Sequence, residues 1–208
     1  MPRTGLPPQE LKRRAIDVAN ARIKAVGYGK LRVTDIAAEL GVSHAALYAH
    51  FSGKADILDA VVGHWLDMAQ EDLRAAVTGP GTPEVRLENW LIQRLRLKRE
   101  AAVKDPELYE AYCQASDRLR DVVQHHKAIW RDQIAMLLIQ AIPGLKDPAH
   151  AALLVHSAMY GFNHPRLVLE YLDSDAEAIE TRLRDVLHTL IAGLRATVRG
   201  DMPDGAAP

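Results

Sequence analysis

The chain of 208 residues has little cysteine and few aromatic side chains. It contains one cysteine, Cys113, and aromatic residues make up 5% of the sequence. A single thiol excludes both an internal disulfide framework and a cysteine-based zinc finger. We therefore expect the protein to work in a reducing compartment.

Long apolar runs are also absent. The longest, such as residues 134–139, fall far short of the ~20 residues that a membrane-spanning helix needs. The first ten residues, MPRTGLPPQE, lack the apolar core of a secretion signal. We expect a cytoplasmic protein with no membrane association.

Sequence patterns typical of catalysis and metal binding are missing as well. There is no Gly-rich phosphate loop, no Gly-x-Ser-x-Gly, no His-Glu-x-x-His and no zinc-type Cys/His spacing. The adjacent pair His125 and His126 point to different faces of a helix. We predict that the chain is not an enzyme and has no cofactor or metal. A helical enzyme whose acid–base pair forms only in the fold is the alternative from a different class.

The charged residues are unevenly distributed along the chain. Residues 1–54 contain nine Lys and Arg against four Asp and Glu, a net charge of +5, whereas residues 55–208 carry 17 against 23, a net charge of −6. This asymmetry predicts a basic segment that binds a polyanion, joined to an acidic segment with another role. Solvated helix faces produce such a bias too, so the interpretation depends on a motif in the basic segment.

Helical patterns run through nearly the whole sequence and predict an all-α fold. Apolar residues recur at spacings of three and four, and Ala, Leu, Arg and Glu are abundant. The breaker TGPGTP at 78–83 is the best internal boundary. Ser174 and Glu177 form the pattern of a capping box that opens a last helix to about Val198. The segment 200–208, rich in Pro, Gly and Ala, is expected to be a disordered tail.

Residues 33–51, VTDIAAELGVSHAALYAHF, have the pattern of a helix-turn-helix. Gly41 supplies a tight turn, Val42 fills the corner between the two helices, and Ser43 caps the second helix. This arrangement offers the second helix to the DNA major groove. The residues predicted to face inward are Ile36, Ala37, Leu40, Leu47 and Phe51.

The match continues on both sides of the turn, and the stretch 8–77 resembles the DNA-binding part of the TetR family. The later helices resemble that family only in architecture. The residues that carry the resemblance, all in register, are Thr34, Ile36-Ala37, Gly41-Val42-Ser43, Leu47-Tyr48, Phe51 and Lys54.

The resemblance implies two domains in a bacterial protein. An N-terminal three-helix helix-turn-helix domain, residues 8–54, would bind double-stranded DNA, and a larger helical domain, residues 55–199, would bind an effector and dimerise. The implied function is repression by a homodimer on a palindromic operator, with release by a small-molecule effector. A ligand-independent regulator and an activator remain alternatives, and the sequence names neither the operator nor the effector.

Phosphate contacts are expected from a hydroxyl, a phenol and an ammonium group, because the family uses Thr34, Tyr48 and Lys54 in that way. Each residue also has a purely structural interpretation. Thr34 is an ordinary N-cap, Tyr48 is a half-buried packing residue, and Lys54 is a solvated charge. Lys30 and Arg32 are further candidates for contacts with the DNA backbone.

Base contacts are expected from Ser43, His44, Ala45, Ala46 and His50. The family often has Lys, Gly and Thr at 44–46 and Tyr at 50, so this sequence departs from the common pattern. The two alanines can contact thymine methyl groups, or they only allow the helix to approach the DNA closely. The two histidines can hydrogen-bond to bases or phosphates. The operator therefore cannot be inferred from common relatives.

The middle helices carry large and polar-tipped side chains that would suit an effector site. Most such residues are core or surface, but the resemblance favours a ligand pocket among these helices. The predicted lining residues are Tyr109, Trp130, His156, Tyr160 and Asn163. The segment 160–165, which contains Gly161 and Pro165, is expected to form a hinge, a pocket wall or a simple turn.

The last two long helices, about 148–162 and 175–198, are expected to pair with their copies in a dimer. The second of these has an apolar stripe at helical spacing, which would also fit an intramolecular core. A two-fold dimer would present two recognition helices to a palindromic site. The stripe comprises Ile179, Leu183, Val186, Leu187, Leu190, Ile191, Leu194 and Val198.

Overall fold

A computed structural model describes residues 7–200, and all regular secondary structure in that range is helical. The all-α prediction is confirmed. No helix within this range is both long and apolar enough to span a membrane. The helices are α1 Pro8–Val26, α2 Val33–Leu40, α3 His44–Tyr48, α4 Lys54–Thr78, α5 Pro83–Lys104, α6 Pro106–Asp117, α7 Asp121–Ala141, α8 Pro148–Ala158, α9 Tyr160–Asn163, α10 Pro165–Glu170 and α11 Ala176–Arg199, with a 3₁₀ turn at Tyr28–Lys30.

The chain divides into two compact units. The first contains the residues up to Met68 together with Glu100–Gln124, and the second contains Ala69–Arg99 together with the residues from His125 onward. Helices α4, α5 and α7 each contribute residues to both units. The predicted boundary between residues 54 and 55 stays a prediction. Of the predicted tail 200–208, residues 201–208 lie outside the described residues.

Helix α1 is the centre of the first unit and packs against α2 and α6. Its buried residues recur every four positions, which places them on one face of the helix. The opposite face carries charged residues and is exposed to solvent. The buried residues are Leu11, Ala15, Ala19 and Ile23.

Two ion pairs join the residues that flank α6 to α1 and α4. The Lys24 ammonium lies 2.8 Å from the Asp105 carboxylate, and the Arg120 guanidinium pairs with Asp59. Gly27 ends α1 with a φ of 81°, and a Cβ there would collide with the Glu107 carboxylate. The backbone conformation therefore favours glycine at this position, whereas the Glu107 side chain could move aside for a Cβ.

Two predicted helix caps are wrong. Arg32, and not Thr34, precedes the first turn of α2, so Thr34 lies within the helix. Asp175, and not Ser174, caps α11, because its carboxylate accepts the Glu177 N–H at 3.0 Å. Adjacent Ser and Asp are both good caps, and the sequence pattern does not choose between them.

The predicted helix 148–162 is interrupted. Helix α8 ends at Ala158, Met159 adopts φ −81° and ψ 3°, and the short α9 follows before Pro165 opens α10. The irregular segment thus begins one residue before Tyr160 and consists of two short helical pieces. Its backbone is supported by the Tyr171 hydroxyl, which donates to the Phe162 carbonyl at 2.8 Å.

The core of the second unit lies among apolar faces of α5, α7, α8 and α11. Trp90, Trp130 and Leu137 are fully buried, and α8 packs against α11. The predicted stripe on α11 is split by burial. Ile179, Leu183, Leu187 and Ile191 are buried, whereas Val186, Leu190 and Leu194 are half-buried and Val198 is exposed.

The cap of α11 gives a direct stability test. Replacing Asp175 with Ala should lower the free energy of unfolding by about 1 kcal/mol, because the Glu177 N–H loses its acceptor. Ser174→Ala is the matched control and should stay within about 0.5 kcal/mol of the parent. Urea unfolding measures both values, and a larger loss for Ser174→Ala would contradict the observed cap.

Candidate nucleic-acid interface

A left-handed glycine sets the turn between α2 and α3. Gly41 has φ 65° and ψ 29°, a conformation that side chains with a Cβ rarely adopt. The Val42 N–H donates to the Ala37 carbonyl at 3.0 Å, and the Val42 side chain is buried in the corner. The turn predicted from Gly41 and Val42 therefore has the geometry of a helix-turn-helix.

Helix α3 is short, and its orientation is fixed by its inward face. The Ser43 hydroxyl accepts the Ala46 N–H at 3.3 Å, which confirms the predicted cap. Leu47 and Phe51 are buried, as predicted. Because these two side chains point inward, the opposite face of α3 points to solvent.

The residues predicted to contact DNA lie on and around this exposed face. Tyr48 is 53% exposed, which leaves most of its phenol available to a ligand. The others divide by exposure into two groups. Thr34, Ser43, His44 and Ala45 are exposed, whereas Ala46, His50 and Lys54 are half-buried.

Lys54 has an intramolecular role that sequence reasoning missed. Its ammonium donates to the Gly29 carbonyl at 2.8 Å and lies 4.5 Å from the centroid of the Tyr28 ring. Burial lowers the pKa of Lys54. The ammonium thus holds the 3₁₀ turn against the start of α4, and a lysine has further N–H groups for a phosphate. The two residues are 25 positions apart in the sequence, so no local sequence pattern predicts this contact.

Arg22 fixes the first helix of the motif relative to α1. Its guanidinium donates to Glu39 at 2.9 Å and lies 3.5 Å from Asp35. Both acids lie on α2, so Arg22 holds this helix to α1. The pairs neutralise carboxylates that would otherwise repel a DNA backbone.

The predicted effector residues fall in both units. Tyr109 is buried in the first unit, where its ring lies 6.4 Å from Trp65 and 5.8 Å from Tyr112. In the second unit Trp130 and Asn163 are buried, His156 is half-buried, and Tyr160 is exposed with its ring 4.7 Å from His164.

His156 is the most strongly perturbed of these residues. Burial, together with the positive charges of Arg94, Arg131, Lys127 and Lys98, lowers the pKa of His156 to about 4. Its imidazole is therefore neutral at neutral pH. The sequence did not predict that these four side chains act on His156, because each of them has the pattern of an ordinary charged residue on a helix surface.

The geometry of α2 and α3 defines a helix-turn-helix DNA-binding protein. Two family models match the chain: "Bacterial regulatory proteins, tetR family" over residues 15–61 and "Tetracyclin repressor-like, C-terminal domain" over residues 83–187. The chain belongs to the TetR family of transcriptional regulators. These proteins are regulators and not enzymes, which agrees with the prediction from the sequence.

Relatives and solved structures agree with this assignment. The chain is 38% identical over 90 residues to the HTH-type transcriptional regulator BetI of Brucella suis, a match that covers 42% of this chain and 43% of that protein. The match thus spans less than half of that relative. The chain resembles a Pseudomonas aeruginosa PAO1 structure with a TM-score of 0.66 at 22% identity, covering 96% of this chain and 97% of that one. A TetR-family regulator from Streptomyces coelicolor has a TM-score of 0.61 at 18% identity, with 97% and 94% covered.

Substitutions on the exposed face should separate phosphate contacts from base contacts. Tyr48→Ala and Lys54→Met should weaken binding to all DNA sequences alike, and Lys54→Met should also reduce the salt slope by about 1. His44→Ala should instead change which bases are preferred. Affinity for a panel of duplexes, measured against salt concentration, distinguishes these results.

Two outcomes would contradict these roles. An unchanged base preference in His44→Ala would remove His44 from base recognition. An unchanged salt slope in Lys54→Met, together with lower stability, would limit Lys54 to its contacts with Tyr28 and Gly29. Val103→Met, an exposed substitution on α5, serves as the control for both measurements.

The lowered pKa of His156 predicts a defined pH dependence. The unfolded chain protonates His156 near pH 6.5, whereas the folded protein does so near pH 4. Stability should therefore be retained above about pH 6.5 and be lost as the pH falls towards 4. His156→Gln should reduce the acid-induced drop in the thermal midpoint between pH 7.5 and pH 5. An equal drop in both proteins would contradict the assignment.

Proposed function

We propose that the protein is a dimeric repressor in the bacterial cytoplasm that binds a palindromic operator and is released by a small-molecule effector. The observation that carries the proposal is the exposed face of α3, held in place by buried Leu47 and Phe51. Ser43, His44, Ala45, Ala46 and His50 are proposed to meet bases, and Thr34, Tyr48 and Lys54 to meet phosphates. This division follows the family resemblance, and the exposure of the Thr34 hydroxyl, the Tyr48 phenol and the His44 imidazole supports it.

An apolar groove beside α8 and α11 supports the dimer. Leu154 and Val198 are exposed there, and they line a groove of about 370 Å³ together with Leu145 and Leu194. The polar residues that line the same groove are Lys146, Asp147, His150 and Thr197. Exposed apolar area costs about 25 cal/mol per Å² relative to burial, so a contiguous apolar face favours a covering surface. A second copy related by a two-fold axis is the proposed cover.

The two-fold axis gives the DNA site its symmetry. Two copies of α3 would enter successive major grooves about one helical turn, or a multiple of it, apart. The half-sites would then be inverted repeats, and each copy would contribute its own phosphate contacts. A monomer would have only one short recognition helix and correspondingly weaker binding.

Effector release is proposed to act through a shift between two dimer states. A ligand changes DNA affinity only by the difference in its own affinity for those states. Trp130, His156, Tyr160 and Asn163, all in the second unit, are the proposed contact residues. Tyr109 belongs to the first unit and is a separate candidate. Repression follows if the occupied operator overlaps the promoter and blocks transcription.

The dimer is tested by a charge placed in the apolar groove. Leu154→Glu should convert the dimer into a monomer in sedimentation equilibrium, because a carboxylate replaces an exposed leucine and loses its hydration when the partner covers it. Affinity for DNA should fall with it. Val103→Glu places the same charge at an exposed apolar position on α5 and should leave the mass unchanged.

The result that would contradict this proposal is equally definite. If the unmodified protein is a monomer at the concentrations that bind DNA, the dimeric mechanism is wrong. If Leu154→Glu remains a dimer with full affinity for DNA, the interface lies elsewhere. A transcription reporter downstream of the selected operator then tests repression, since a rise in output on expression would indicate an activator.

A further inference from the structure

Four cationic side chains of the second unit act on a single histidine. Arg94 and Lys98 lie one turn apart on α5, and Lys127 and Arg131 lie one turn apart on α7. The spacing of four residues places each pair on one face of its helix. His156 is contributed by a third helix, α8, and feels the charge of all four. We call these five residues the cation cluster.

The cation cluster is not an ordinary solvated surface. Arg94 and Lys98 are each only 4% exposed. Burial and the charges of Arg94 and Arg131 lower the pKa of Lys127. Like charges repel more strongly when water is excluded, so the positive charges near Lys127 disfavour its own charged form.

Two members of the cluster have no counter-charge. Within residues 7–200, neither Lys127 nor Arg131 makes an ion pair or a side-chain hydrogen bond. Positive charges gathered in this way normally require a carboxylate or another anion nearby. A ligand is the natural source of that missing negative charge.

Unpartnered buried atoms lie beside the cluster. Trp130 Nε1 and Asn163 Oδ1 have no hydrogen-bond partner, although the two residues are only 2% and 5% exposed. The Arg94 guanidinium lies 3.9 Å from the centroid of the Trp130 ring, and the Lys98 ammonium donates to the Asn163 carbonyl. Orphaned buried polar atoms are rare in folded proteins and each calls for a partner.

The surroundings are apolar and aromatic. The Arg94 guanidinium also lies 5.7 Å from the Trp90 ring centroid, and Asn163 Nδ2 donates to the carbonyl of the buried Met159. An apolar and aromatic environment strengthens charge pairing and favours a ligand that has an apolar body. It disfavours a fully hydrated inorganic ion.

We propose that the effector is a small organic anion, a carboxylate or phosphate on an apolar body, bound at the cation cluster. Lys127 and Arg131 pair with its charge, Trp130 Nε1 donates to it, and Asn163 Oδ1 accepts a hydrogen bond from the ligand or its bound water. The proposal rests on the effector release proposed above and names the ligand class. A cationic effector is disfavoured by the same charges.

The test compares anions with neutral molecules of the same shape. The full-length protein is titrated with octanoate, benzoate and phenyl phosphate, and with octanamide and benzamide, by calorimetry and tryptophan fluorescence. At least one anion should bind saturably, and at least about tenfold more tightly than its neutral counterpart, as expected for one charged hydrogen bond. Equal binding of anion and amide, or no binding by any of the anions, would overturn the proposal.

Lys127→Met supplies a second measurement with an opposite sign. The variant should raise the thermal midpoint of the ligand-free protein, because a desolvated like charge is removed. It should also lower the affinity for the anion at least about tenfold. Lys104→Met, an exposed lysine outside the cluster, is the matched control and should change neither value. Equal effects of the two substitutions would overturn the role of Lys127.

DNA binding separates failure of this inference from failure of the proposed function. An anion that binds through Lys127 and also lowers DNA affinity supports both. An anion that binds without changing DNA affinity supports the site but overturns effector release through it. Release of DNA by a neutral or cationic compound, with no anion binding, overturns the anion proposal and leaves effector release standing.

Discussion

A five-residue helix cannot persist by its own hydrogen bonds, and α3 depends on the burial of its inward face. Leu47 and Phe51 supply that burial, and the left-handed Gly41 allows α2 to lead into α3 at the required angle. The orientation of the exposed face of α3 follows from this constraint. With the apolar side anchored, the phenol of Tyr48 and the imidazole of His44 have only solvent, or DNA, to meet.

The rest of the first unit serves to hold that small core. Helix α1 packs on α2, and α6 packs on α1. The pairs Lys24–Asp105 and Arg120–Asp59 join the DNA-binding segment to residues more than 60 positions away. A helix-turn-helix of this size buries little apolar area alone, so the added helix contributes stability that the motif lacks.

Local features of the fold were predictable from the sequence. Glycine and proline positions marked most helix ends, and the inward residues of the helix-turn-helix were recognised by spacing. The sequence did not predict which of two neighbouring residues caps a helix, as the cap of α11 by Asp175 shows. Contacts between distant segments were not predictable either. The hydrogen bond from Lys54 to the Gly29 carbonyl forms only when the segments pack together. The cation cluster likewise needs the packing of α5, α7 and α8.

The cations of the proposed ligand site lie on helices that contribute residues to both units. Arg94 and Lys98 lie on α5, which continues to Lys104 in the first unit, and Lys127 and Arg131 lie on α7, which begins at Asp121 in the first unit. Under the proposed effector release, an anion at this cluster would act on these two helices. The energy available for a change of state is bounded by the difference in anion affinity between the states.

The measurement that tests the central claim most directly is selection of bound sequences from a random DNA pool, followed by the mass of the complex. The account predicts an enriched inverted repeat, bound by two copies of the chain with affinity that falls steeply as salt rises. Enrichment of a single half-site bound by one copy would contradict the dimeric mechanism. No enrichment at any salt concentration, with a folded dimer, would contradict sequence-specific DNA recognition by α3.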